Sequence, residues 1–218
     1  MKAMILAAGR GERMRPLTDT TPKPLLKAGE KPLIVYHLLN FAKAGIRDIV
    51  INTSYLGEQI QRELGDGSRY GVHIQYSVEP NVLETGGGIV KALPLLGSEP
   101  FMVVSADIWT TFDYTQLENK LTKSAHLIFV PNPSFHPKGD FALQNDLVNL
   151  NGEPKFTFAN IGIYRPELFL DFKLEHFKLV DVLTAGIKKN LITGEVYHGE
   201  WHNIGTAKQL EDLRIIIK

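Results

Sequence analysis

The first twenty-five residues constrain this chain more than any other stretch. An apolar run from Ala3 to Ala8 opens directly into Gly9-Arg10-Gly11-Glu12-Arg13-Met14-Arg15-Pro16-Leu17-Thr18, and Thr21-Pro22-Lys23-Pro24-Leu25 follows. A buried strand that ends in a glycine loop crowded with cations is a chain prepared to approach phosphate. Gly9 and Gly11 have access to backbone angles closed to other residues and let main-chain N–H groups come near an anion. Arg10, Arg13, Arg15 and Lys23 supply positive charge, opposed only by Glu12 and Asp19.

Two common phosphate loops do not fit. The NTPase loop ends in Gly-Lys-Ser/Thr, which is missing here. The dinucleotide fingerprint requires a third small residue for helix-on-strand packing, and Met14 occupies that position.

Beyond the loop, short apolar runs alternate with helical patterns. Strands are predicted near Ala3 to Leu6, Ile49 to Asn52, His73 to Ser77 and Phe101 to Ser105, and helices near Pro32 to Ala44, Leu56 to Leu64 and Gly87 to Leu95. Pro32 and Gly45 are the expected start and stop residues of the first helix. This rhythm implies crossover units and an α/β fold with a Rossmann-like mixed, mostly parallel sheet flanked by helices, with ligands at the carboxyl ends of the strands.

After Asp107 the rhythm changes. A helix is predicted over Tyr114 to Thr122, then strands near His126 to Val130, Phe141 to Leu143 and Phe156 to Tyr164, with Asn151-Gly152 as a hairpin turn. Helices near Leu179 to Lys189 and Thr206 to Ile217 flank a last strand pair, Glu195 to His198 with Trp201 to Ile204. The 218 residues read as one domain in two halves, residues 1–107 carrying the glycine loop and 108–218 walling the cleft and ending in a C-terminal helix.

Composition narrows the function. Hydrophobic residues make up 44% of the chain, enough for a buried core, and 24 basic residues balance 24 acidic ones. That balance leaves no net field to attract nucleic acid or an anionic membrane, so neither is expected as a partner, and no obligate protein partner is evident. No apolar run approaches the roughly 20 residues needed to span a bilayer, and no signal peptide precedes the loop, so the expected location is cytoplasmic. With no cysteine, disulfides and thiolate metal sites are excluded.

The run Leu6 to Thr18 with Pro22-Lys23-Pro24-Leu25 resembles the signature of the sugar-1-phosphate nucleotidyltransferases. The likeness continues through Leu83-Glu84-Thr85-Gly86-Gly87-Gly88, Asp107-Ile108-Trp109-Thr110, Gly139-Asp140-Phe141 and Trp201-His202-Asn203-Ile204-Gly205-Thr206. Where that family usually has Ser or Thr, Glu12 stands, as in the branch that makes UDP-N-acetylmuramic acid from N-acetylmuramate 1-phosphate and UTP. Mannose- and glucose-1-phosphate transferases share the same loop and are the alternatives within the class. A binding module that has lost turnover is the alternative outside it.

The resemblance implies Mg²⁺-dependent transfer between UTP and a sugar 1-phosphate. A phosphate monoester is already largely dianionic at neutral pH, so alignment and charge neutralisation matter more than a general base. By resemblance, Gly11, Glu12 and Arg13 wrap the nucleotide phosphates, Lys23 holds the α-phosphate, and Lys23, Arg13 and Asp107 are the catalytic set. Taken alone, Lys23 also reads as a surface lysine between turn prolines, and Arg15 as a scaffold residue. Glu84, Gly86 and Gly87 are assigned to the base, with glycine N–H groups facing it; the alternative is a flexible joint. Ser105 and Asp140 are assigned to the sugar.

Asp107, at the end of a predicted strand, is the implied metal ligand, although an Asp there also caps turns. The second metal position, an aspartate in the family, is Asn203 here: its amide oxygen either meets the ion or hydrogen-bonds the backbone near Gly205. Beside it, His202 is a poor magnesium ligand and reads as a partly buried strand residue.

Overall fold

In the computed structural model, which describes residues 1–217, a nine-stranded mixed sheet runs through both halves of the chain. Its first part is built from β1 (Lys2–Leu6), β4 (Asp48–Thr53), β5 (His73–Val78) and β6 (Phe101–Ser105), all parallel, in the order β5-β4-β1-β6. Strands covered on both faces read as continuous apolar runs, which is why Phe101-Met102-Val103-Val104 shows no alternation. The two faces still separate by parity. Ala3, Ile5, Ile49 and Ile51 pack in one layer with Ile34, Leu38 and Phe41 of α1 (Leu33–Lys43) and Ile60 of α2 (Gly57–Leu64). Met4, Val50, Phe101 and Val103 pack in the other with Ile89 and Ala92 of α3 (Glu84–Leu96) and Val182 and Leu183 of α4 (Leu179–Lys188).

The strand order reverses its direction of growth at β1: β4 and β5 add on one side, and β6 returns to the other. A crevice therefore opens beyond the carboxyl ends of β1 and β6. Leu6 and Ser105 are register partners there, and the Ala106 N–H donates to the Leu6 carbonyl at 3.0 Å. The glycine loop and Asp107 thus leave the sheet side by side.

The second part of the sheet is mixed. β11 (Lys155–Tyr164) runs antiparallel to both β6 and β8 (Ala125–Val130), β12 (Ile192–Val196) lies parallel to β8, and the hairpin of β9 (Phe141–Gln144) and β10 (Leu147–Asn149) completes the edge. Two small ribbons stand apart: β2 (Lys27–Ala28) with β3 (Lys31–Pro32), and β7 (Ile108–Thr110) with β13 (Trp201–Asn203). α5 (Ala207–Ile216) is capped by the Thr206 hydroxyl, which accepts from the Gln209 N–H.

Four sequence expectations are corrected. The helix over Tyr114 to Thr122 is only a 3-10 turn, Tyr114–Leu117, with Tyr114 and Leu117 as its buried residues and no longer apolar face to sustain it. The tight hairpin turn is Asn145-Asp146, both in the left-handed region, while Asn151-Gly152 joins β10 to β11, which do not pair with each other. Trp201 to Asn203 pairs with β7 rather than with β12, which begins earlier, at Ile192. Finally, α3 starts at Glu84, so Gly86 to Gly88 lie within its first turns. Among the described residues no helix is long and apolar enough to cross a membrane.

Candidate active site

The glycine loop is clamped at Gly11. With φ of 65° this residue is left-handed, and a Cβ would come within 2.9 Å of Thr18 Cγ2 and 3.2 Å of Lys23 Cβ. Buried Thr18 donates its hydroxyl to the Gly11 carbonyl at 2.9 Å. Met14 anchors the short turn Glu12–Met14 from below, fully buried with Leu26, Leu33, Ile204 and Leu210. Gly9, in contrast, has no positive φ and only open space where a Cβ would stand. The cations separate in the same way: Arg10 and Arg13 line the cleft, while Arg15 pairs with Asp19 at 3.3 Å in solvent.

Lys23 is not a surface lysine. Only 11% of its side chain is exposed, and its Nζ lies 2.6 Å from Asp107 Oδ2. The carboxylate projects from the joint between β6 and β7, and that joint is fixed twice. The Ile204 N–H donates to the Asp107 carbonyl at 2.7 Å. Below it, buried His37 sets Nε2 2.9 Å from the Ile108 carbonyl and Nδ1 2.8 Å from the Tyr114 hydroxyl. Burial pushes His37 down to about 4, so it is a neutral donor and acceptor within the scaffold.

The glycine loop, Lys23 and Asp107 line a cleft of about 540 Å³ running past Asn52, Glu84 and Thr85 to Ser105 and Gly205. Asn52 in its wall belongs to a buried pair, with Glu79 behind it, that sequence reasoning missed. The Ala7 N–H donates to Asn52 Oδ1 at 2.8 Å, Asn52 Nδ2 donates to Glu79 Oε1 at 2.7 Å, and Glu79 Oε2 accepts from the Leu83 N–H at 3.0 Å. Asn52 and Glu79 are each 2% exposed, so this chain of bonds ties three strand-end loops together in a low-dielectric setting. The available signal was positional: both stand at or just past the carboxyl ends of strands.

The glycines of α3 serve packing. The Gly86 and Gly87 N–H groups both donate to the Phe177 carbonyl, at 3.0 and 3.2 Å, so neither is offered to a base in this conformation. A Cβ on Gly86 would strike the Phe177 ring, and one on Gly87 the Glu175 carbonyl. They form the seat for a strap, residues 175–178, that places His176 at the rim of the first cleft. Glu84, with φ of 61°, and Thr85 stay in the cleft wall.

A second cleft of similar size adjoins the first, sharing Leu6, Arg13, Glu84 and Thr85 with it. Asp140 lines it, with Oδ2 accepting from the Phe158 N–H at 2.8 Å and Oδ1 3.0 Å from His136 Nε2. Asn160 lines it too, left-handed at φ 57° where the β11–β8 register slips, and sequence reasoning did not single it out. Trp201 closes one end, its Nε1 donating to the Ala159 carbonyl at 3.0 Å. Ser105, assigned to the sugar from sequence, lies in the wall of the first cleft.

Asn203 lines the second cleft and is the register partner of Ile108, one residue from Asp107. His202 is occupied by Glu200 at 3.0 Å. Among the described residues no group of three or more His, Cys, Asp or Glu converges as a metal cage. The Asp107 carboxylate, with the Asn203 amide on the neighbouring strand, is nonetheless of the donor type suited to Mg²⁺, which typically combines one or two carboxylates with substrate phosphates and water.

A sheet switch point with a clamped, cation-lined loop facing an aspartate is therefore joined to a second polar cleft. Residues 2–139 match the family model described as nucleotidyl transferase. The chain belongs to the nucleotidyl transferase family. It is 50% identical to an N-acetylmuramate alpha-1-phosphate uridylyltransferase from Neisseria meningitidis, over 99% of this chain and 98% of that protein. A mannose-1-phosphate guanylyltransferase from Mycobacterium tuberculosis is 35% identical over 60% of this chain and 38% of its own length. The fold of this nucleotidyl transferase matches a crystal structure from Bacillus anthracis described as a glucose-1-phosphate thymidylyltransferase, with a TM-score of 0.88 at 23% identity, covering 99% of this chain and 94% of that one.

Proposed function

We propose that this nucleotidyl transferase moves UMP from UTP to N-acetylmuramate 1-phosphate, yielding UDP-N-acetylmuramic acid and pyrophosphate in peptidoglycan recycling, and that it requires Mg²⁺. The observation that carries this reading is the 50% identity to the Neisseria uridylyltransferase, because it spans both clefts, whereas the guanylyltransferase likeness covers 60% of the chain.

In this reading the first cleft takes UTP and the second the sugar phosphate, and the reacting phosphates meet beside Arg13, which lines both. Asp107, with Asn203 as the neighbouring candidate, would hold Mg²⁺, which would supply charge neutralisation to the phosphates. Lys23 turns from Asp107 to the α-phosphate, and Arg13 holds the acceptor phosphate in line. Gly11 and Glu12 fix the loop around the β- and γ-phosphates. No side chain is needed as a base, because the attacking oxygen is already ionised. The enzyme's contribution is then positioning and preorganised charge.

The test is pyrophosphate release from a panel of the four NTPs against several sugar 1-phosphates, with and without EDTA. Release with UTP and N-acetylmuramate 1-phosphate, abolished by EDTA, is the expected result. Turnover of GTP with mannose 1-phosphate in place of that pair would overturn it.

A further inference from the structure

Three of the five charged or titratable groups along the wall of the second cleft have a partner. His136 pairs with Asp140, whose other oxygen holds the Phe158 N–H, and Glu84 faces His176 at 3.9 Å. Two cations in that wall, Arg13 and Lys178, form no ion pair among the described residues. Arg13 is shared with the nucleotide cleft, so it stands where two phosphates must meet. Lys178 lines the second cleft alone.

The backbone of Lys178 is held on both sides. Phe177 before it accepts from Gly86 and Gly87, its own N–H donates to Asp181 Oδ2 at 3.1 Å, and the Leu179 N–H after it donates to Thr85 Oγ1 at 2.8 Å. Gly86 is needed for this approach, since a Cβ there would lie 2.9 Å from the Lys178 carbonyl carbon. The strap therefore delivers a lysine to a fixed point on the cleft wall, and the long stem lets its point charge follow a substituent on the sugar.

N-acetylmuramate 1-phosphate carries two anionic groups, the phosphate and the carboxylate of its lactyl ether, which is ionised at neutral pH. The cleft offers two uncommitted cations. We infer that Lys178 is the specificity residue that receives the lactyl carboxylate, and so separates this acceptor from N-acetylglucosamine 1-phosphate, which lacks it. The inference rests on the proposed reaction and adds to it the group that reads the sugar. Because Lys178 is solvent-exposed, the pair is screened and its effect is modest.

The test measures pyrophosphate release by wild type, Lys178→Met and Lys178→Arg. It yields KM for N-acetylmuramate 1-phosphate, KM for UTP, and Ki for N-acetylglucosamine 1-phosphate as a competitor of the acceptor. Lys178→Met should raise the acceptor KM about fivefold, with the UTP KM and the competitor Ki changed less than twofold, and Lys178→Arg should recover most of the loss. An unchanged acceptor KM overturns the inference. So does a competitor Ki that rises in step with it, because Lys178 would then act on a feature both sugars share or on the fold. Wild type that releases no pyrophosphate from this pair refutes the proposed reaction, and the role of Lys178 with it.

Discussion

The ammonium of Lys23 sits 2.6 Å from the Asp107 carboxylate, joining two residues 84 positions apart in the wall of the first cleft. Each neutralises the other while the cleft is free of phosphate. In the proposed reaction, triphosphate oxygens would compete for the lysine, and their arrival would release the carboxylate for a cation. Lys23→Ala is expected to lower kcat/KM by a factor on the order of 10² to 10³, comparable to loss of one preorganised oxyanion partner. Steady-state kinetics with UTP varied reads this directly, and near-normal values would remove Lys23 from the reaction.

Asn203→Asp adds a negative charge near Asp107 at almost constant volume. The Mg²⁺ concentration for half-maximal rate should fall, with a smaller change in kcat, since tighter ground-state metal binding does not itself lower the barrier. Rate against Mg²⁺ at saturating UTP decides it: superimposable curves for the two proteins would take Asn203 out of the metal site.

Much of this site was legible because its parts are local. Gly11, Arg13 and Lys23 follow the first strand, Asp107 follows the fourth parallel strand, and runs such as Phe101 to Ser105 are apolar enough to be read without a partner. What escaped depends on distant contacts. The Asn52–Glu79 bond links two strand ends 27 residues apart, and neither residue type announces burial. Gly86 and Gly87 read as a ligand platform in the sequence, whereas in the fold their N–H groups donate to the Phe177 carbonyl about 90 residues on. β7 and β13 are three residues each, too short for a periodicity, and their pairing depends on how the C-terminal segment returns to the cleft.

Glu84 holds φ of 61°, a conformation that costs a residue with a side chain roughly 1–2 kcal/mol. Glu84→Gly relieves that strain and also loosens the unfolded chain, so the net gain in stability should be about 0.5–1 kcal/mol. Urea unfolding should show a higher midpoint at unchanged slope. A lower midpoint would mean that contacts of the Glu84 side chain outweigh the backbone strain.

His37 sets an acid limit on the fold. Its value is lowered from 6.5 to about 4 by burial, so between these the unfolded chain binds the extra proton and the native state does not. Stability contributed by neutral His37 is full above pH 6.5 and is lost as pH falls toward 4, by up to on the order of 3 kcal/mol. The slope of unfolding free energy against pH should flatten in this window for His37→Gln. An equal slope in the variant would assign the acid sensitivity elsewhere.

In the proposed reaction two adjoining clefts bring two bound phosphates together for direct transfer, without a covalent uridylyl-enzyme. The stereochemical course at the α-phosphorus tests it most directly. With a single diastereomer of UTP thiolated at the α-phosphate and N-acetylmuramate 1-phosphate as acceptor, one in-line displacement predicts UDP-N-acetylmuramic acid of inverted configuration, read by phosphorus NMR. Retention would mean two displacements through an enzyme-bound intermediate and would contradict the account.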